Sequence, residues 1–120
     1  MRIVAVTATA IILSLAGCQP ADPAEQQADA IEDAADNRAD AIEAAAKVES
    51  DRMEAQAGAL RNQAGTAGGF AAERLTTRAD ALEREADIVE DQAETRARAI
   101  KSTAAGQAGA IRADGQTRSK

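Results

Sequence analysis

Histidine, tryptophan and tyrosine are missing from this 120-residue chain, and cysteine and phenylalanine occur once each. Without histidine there is no imidazole to act as a general base, to activate the scattered serines and threonines, or to ligate a metal. A single cysteine excludes an intrachain disulfide. One phenylalanine is too few for a platform on which bases could stack. Large apolar side chains are also scarce. Hydrophobic residues make up 45% of the chain, but 33 of them are alanine. Beyond residue 17 the large ones are only Ile31, Ile42, Val48, Met53, Leu60, Phe70, Leu75, Leu82, Ile88, Val89, Ile100 and Ile111. That is too little to drive a compact globular domain against the entropy of ordering it.

These absences point away from an enzyme and away from any cofactor or metal. The acid pairs Glu32-Asp33 and Glu90-Asp91 are neighbours that point about 100° apart on a helix and stay solvated. The glycine cluster Gly65-Thr66-Ala67-Gly68-Gly69 lacks the strand and the lysine of a phosphate-binding loop. Net charge is −6, so nucleic acid is not an expected partner.

What is present begins with a leader. Met1-Arg2 carries the only early cation, and residues 3–17 follow without a charge. This is the n-region and h-region pattern of a secretory signal, and at fifteen residues with two threonines and a serine it is short for a membrane span. It closes on Leu15-Ala16-Gly17-Cys18, which resembles the lipobox of bacterial lipoproteins. The resemblance covers only the first eighteen residues. It implies cleavage between Gly17 and Cys18, acylation of Cys18, and a durable hold on a membrane, since each buried methylene contributes about 0.8 kcal/mol. Gln19 stands where an aspartate would favour inner-membrane retention in the proteobacterial members. The resemblance therefore implies the periplasmic face of the outer membrane.

Residues 18–22 read as a lipidated tether. Asp22-Pro23-Ala24-Glu25 reads as a helix start, with an aspartate cap, a proline where its missing N–H costs nothing, and an acid three residues on. A first helix is expected over 23–64, a glycine-rich turn over 65–69, a second helix over 70–113 and a basic flexible tail over 114–120, with Asp114-Gly115 as its stop. Both helical runs carry a narrow apolar stripe at three- and four-residue steps. The first passes through Ile31, Ala35, Ala39, Ile42, Ala46, Met53, Ala57, Leu60 and Ala64, with Ser50 its one polar step. The second runs unbroken from Ala71 to Ile111. An eleven-residue repeat underlies them: Ala28-Asp29-Ala30-Ile31-Glu32 recurs as Ala39-Asp40-Ala41-Ile42-Glu43, and Val89, Ile100 and Ile111 keep the spacing. Eleven residues in three turns favour a nearly straight pair. The late embryogenesis abundant proteins have similar alanine-rich repeats.

The expected fold is therefore all-α, a long alanine-rich antiparallel hairpin or two-helix coiled coil after a cleaved signal peptide. One continuous helix in a parallel oligomer is the competing architecture. A turn between Ala67 and Gly68 pairs residues whose numbers sum to 135, such as Leu60 with Leu75, Met53 with Leu82 and Ala46 with Val89. The same register sets Asp51 near Arg84 and Arg52 near Glu83. Charge supports the orientation. Residues 22–38 hold six acids and one arginine, while residues 95–120 hold six cations and one acid, so a hairpin sets an acidic start beside a basic end.

The function expected is a non-enzymatic structural or interaction lipoprotein of the cell envelope. Its partners would be a membrane through the lipid anchor and an envelope protein or peptidoglycan, and so thin a seam leaves room for two hairpins to associate. The chain ends Thr117-Arg118-Ser119-Lys120, which resembles the end of the murein lipoprotein. That resemblance implies a covalent link from Lys120 to peptidoglycan, although the stricter heptads and terminal aromatic of that family are missing. The eleven-residue repeat suggests a third role, a stress-type helix lying on a membrane surface.

Overall fold

The computed structural model describes residues 22–118; Gly17, Cys18, Gln19 and Lys120 lie outside them. Helix α1 spans Pro23–Ala67 and helix α2 spans Gly69–Arg118. They run antiparallel, and among the described residues only Asp22 and Gly68 are outside a helix. The hairpin expected from the sequence is the fold, and the single continuous helix is not. At 1.5 Å per residue the 50 residues of α2 make a rod of about 75 Å.

The start of α1 follows from its cap. The Asp22 carboxylate accepts a 3.0 Å hydrogen bond from the Ala24 amide, and Pro23 takes the first helical position. The reversal is tighter than the expected turn over 65–69. Gly65, Thr66 and Ala67 remain in α1, with the Thr66 hydroxyl donating to the Gln63 carbonyl at 2.9 Å. Direction changes at Gly68 and Gly69, whose φ angles are 69° and 54°. Side chains avoid that region and glycine does not, so two glycines suffice.

The far end also departs from expectation. Residues 114–118 are helical rather than a flexible tail, and Asp114-Gly115 does not stop α2. Asp114 pairs with Arg118 at 2.8 Å, and the Thr117 hydroxyl donates to the Asp114 carbonyl. Gly115 serves packing instead. A Cβ placed on it would lie 2.6 Å from the Ala24 Cβ, closer than carbon atoms tolerate, so this layer of the hairpin admits only glycine.

That contact fixes the register. Facing residues have numbers that sum to 139, as 24 and 115 do, so the pairing is one turn away from the expected 135. The reason is volume. The expected register opposes Leu60 to Leu75 and Met53 to Leu82, which would wedge the helices apart. The observed one opposes Leu60 to Ala79, Met53 to Ala86, Ile42 to Ala97, Leu82 to Ala57 and Val89 to Ser50. Small layers lie between them, Ala46 with Ala93 and Ala35 with Ala104. The expected pairs of Asp51 with Arg84 and Arg52 with Glu83 do not form. Asp51 pairs with Lys47, Arg52 with Glu49 and Glu83 with Arg61.

The buried residues are small. Among the described residues they are twelve alanines and Ser50, the last only 2% exposed. Alanine at every close layer lets the two backbones approach and gain dispersion along the whole seam, with almost no side-chain entropy to lose. The larger aliphatics of the stripes insert against alanines, or Ser50 for Val89, and stay half-buried, whereas Val48 and Ile88 are exposed.

Candidate functional site

The eleven-residue repeat determines more than the seam. On α1 a buried small residue is followed three positions later by a large one and, four later again, by another small one: Ala28-Ile31-Ala35, Ala39-Ile42-Ala46, Ser50-Met53-Ala57. On α2 the same order recurs as Ala86-Val89-Ala93, Ala97-Ile100-Ala104 and Ala108-Ile111-Gly115. A residue three positions along a helix is rotated to one side of the first. Antiparallel helices are related by a dyad normal to their common plane. An offset to one side on both therefore falls on the same broad face, and the hairpin has two unlike faces.

The aliphatic face carries shallow grooves beside the seam. One is walled by Ile31 and Arg38 of α1 and by Ile100 and Gln107 of α2. The next is walled by Ile42 and Glu49 and by Val89, Gln92 and Arg96. Ile88, 54% exposed, adjoins this groove through Gln92 and Arg96.

The opposite face is acidic and holds the interhelix ion pairs. Arg112, its side chain 28% exposed, reaches Glu25 at 3.1 Å, Asp29 at 2.8 Å and Glu32 at 2.9 Å. Lys101 lies between Asp36 and Asp40, at 3.4 and 3.6 Å. Arg61 holds Asp80 at 2.8 Å and also Glu83. Lys101 and Arg112 each sit between acids two positions on either side of the seam register, whereas both acids that Arg61 holds lie on one side of it. Glu43, Lys47, Glu90 and Glu94 line the same face between these clamps.

The clamps shift the affinity of these groups for protons. Hydrogen bonds from Arg112 hold the Glu32 carboxyl below its ordinary 4.5, and those from Arg61 do the same for Glu83. The Lys101 ammonium is raised by its hydrogen bond to Asp36 and the charge beside it, and Lys47 by its bond to Asp51. Arg61 and Arg112 are held charged still more firmly than usual. These are solvated structural pairs that set orientation.

The acidic start and basic end come together as the charge pattern required. Arg112 and Lys101 meet the acids of α1, whereas Arg98 and Arg118 pair within α2. The Arg61 clamp and the division into faces were not read from the sequence. Their signals were the register and the three-then-four order inside the repeat. Arg118 lines one depression with Asp22 and Pro23, so the hairpin returns its C-terminal end to the end where it began. Glu32 is engaged by Arg112 together with Glu25 and Asp29, and Glu90 and Asp91 share a depression with Glu43 and Glu94. Among the described residues no group of cysteines and carboxylates is placed to hold a metal ion, and no helix is long and apolar enough to cross a membrane. No family model, no curated protein and no solved structure matches the chain.

Proposed function

We propose that this protein is a non-enzymatic lipoprotein of the bacterial envelope, anchored by acyl chains on Cys18 and presenting the alanine-seamed hairpin on the periplasmic side of the outer membrane. The observation that carries the reading is the junction Leu15-Ala16-Gly17-Cys18, where an uncharged leader closes on small residues and the chain's one cysteine. The hairpin is compatible with it. The depressions along the described hairpin open to solvent, and its open end begins four residues after Cys18.

Linkage of Lys120 to peptidoglycan is the weaker alternative. Arg118 lies beside Asp22, so a chain anchored at Cys18 brings its C-terminus back towards the membrane instead of extending it to the cell wall. Membrane fractionation of wild type and Cys18→Ser tests the proposal. Wild type in the outer-membrane fraction and the variant in the soluble periplasm is the expected result, and unchanged membrane association of Cys18→Ser would refute the anchor.

A further inference from the structure

The two faces differ in what they can touch. Every cation on the aliphatic face between the open end and the tip is an arginine. Arg38, Arg52, Arg74, Arg78 and Arg96 lie there with Glu49 and Glu85; Asp114 stands with Arg118 beside Ile111 at the open end, and Asp91 stands beside Arg96 at the outer edge of α2, while acids outnumber bases on the other face. The exposed large hydrophobics stand on the outer edges and at the tip. Ile88 shares a depression with Gln92 and Arg96 of the aliphatic groove and with Asp91, which also lines the acidic face. Val48, 70% exposed, stands on the outer edge of α1 three residues from the groove-lining Ala45. Phe70, 74% exposed, stands at the tip, four residues before Arg74 on the same side. By helical periodicity none of them falls on the acidic face.

We infer that the aliphatic face docks on a lipid bilayer bearing anionic headgroups, so that the hairpin lies flat with its acidic face outward. Three observations select this occupant. The charge is complementary, because arginines rim an apolar band and their apolar stems can lie in the interface while the guanidinium groups meet phosphates. The apolar residues extend from the outer edge of α1 across to the outer edge of α2. A flat surface covers that width, whereas a second hairpin packed into a four-helix bundle would cover only the inner positions. Finally, with Cys18 held at the membrane, Asp22 stands no more than about 14 Å from the headgroups. This last point rests on the lipid-anchored reading, and it matters because the chain's net charge of −6 opposes unaided approach to anionic lipid.

The test replaces natural acylation with a chemical tether, so its failure is separate from failure of the lipoprotein reading. The chain from Cys18 onward is coupled through Cys18 to a thiol-reactive lipid in vesicles of phosphatidylglycerol and phosphatidylcholine, and brominated lipids quench a single tryptophan. Ile88→Trp probes the aliphatic face and Glu90→Trp the acidic one. Docking predicts a blue-shifted, quenched signal for Ile88→Trp and an unchanged, unquenched one for Glu90→Trp. Docking also predicts a roughly fivefold weaker association for Arg78→Gln or Arg96→Gln. Equal quenching of the two probes, or of neither, would overturn the inference. A blue shift of Ile88→Trp without vesicles, together with dimer mass, would overturn it in favour of a second copy.

Discussion

The acidic and aliphatic faces flank the same seam, yet they are held by different physics. Across the acidic face, Arg61, Lys101 and Arg112 each bind carboxylates of the opposite helix. Across the aliphatic face no ion pair joins the helices among the described residues; Ile31, Ile42, Val89 and Ile100 wall the grooves there, with Arg38, Glu49 and Arg96 at their rims. Charge therefore selects which end of α2 meets which end of α1, while side-chain volume selects the register within a turn. An orientation error would lose all three clamps. A register error of four residues keeps a three-four stripe in phase and is rejected only because large side chains then meet.

The largest expected effect comes from the seam that both faces share. Ala46→Leu puts a large side chain into the layer where Ala46 meets Ala93, and overpacking of this kind costs about 1–3 kcal/mol. It should lower the thermal midpoint by several degrees and open the hairpin, whereas Ala44→Leu, on exposed α1 surface, should not. Equal midpoints for the two would remove the close alanine seam.

Acid titration separates the faces next. Glu32 and Glu83 have folded values below 4.5. Their pairing thus contributes stability that is fully present above the ordinary value and lost as pH falls through the lowered one. Thermal melts between pH 7 and pH 3 should therefore show a loss in wild type that is reduced in the Glu32→Gln, Glu83→Gln double variant. Lys101 is raised by Asp36 and Asp40. Its contribution is present at neutral pH and lost only as pH climbs through its raised value.

Salt should sharpen the comparison further. Arg112→Gln removes a cation shared by three carboxylates and lowers the midpoint at low ionic strength, with the difference shrinking in concentrated salt. Ile42→Ala, on the other face, should cost stability that salt does not restore. The smallest effect belongs to Gly58→Ala. A Cβ there meets nothing within 4 Å, so the better helix former should stabilise α1 by about 0.5–1 kcal/mol.

Much of this hairpin is legible in the sequence because its devices are local. Asp22-Pro23 announces the start of α1, Gly68 and Gly69 the reversal, and the alanine stripes the seam. Three things were not legible for a common reason. The register, the role of Gly115 and the helical state of residues 114–118 all depend on which layers meet across the pair. Gly115 reads as a stop when considered alone, but it is the eleven-residue successor of Ala93 and Ala104, placed where Ala24 leaves no room for a methyl group. Arg61 likewise looks like one solvated arginine until the 139 register carries it between Asp80 and Glu83. The proposed lipidation of Cys18 rests on the leader and the junction Leu15-Ala16-Gly17-Cys18.

Disulfide mapping tests the central claim most directly. In a Cys18→Ser background, Ala46→Cys with Ala93→Cys is compared with Ala46→Cys with Val89→Cys under mild oxidation at low concentration. Cysteines bridge only when their Cβ atoms lie about 3.5–4.5 Å apart, so the 46–93 pair should close rapidly within one chain while the 46–89 pair closes slowly. Preferential closure of 46–89, or bridges formed only between chains, would contradict the alanine-layered hairpin and the two faces built upon it.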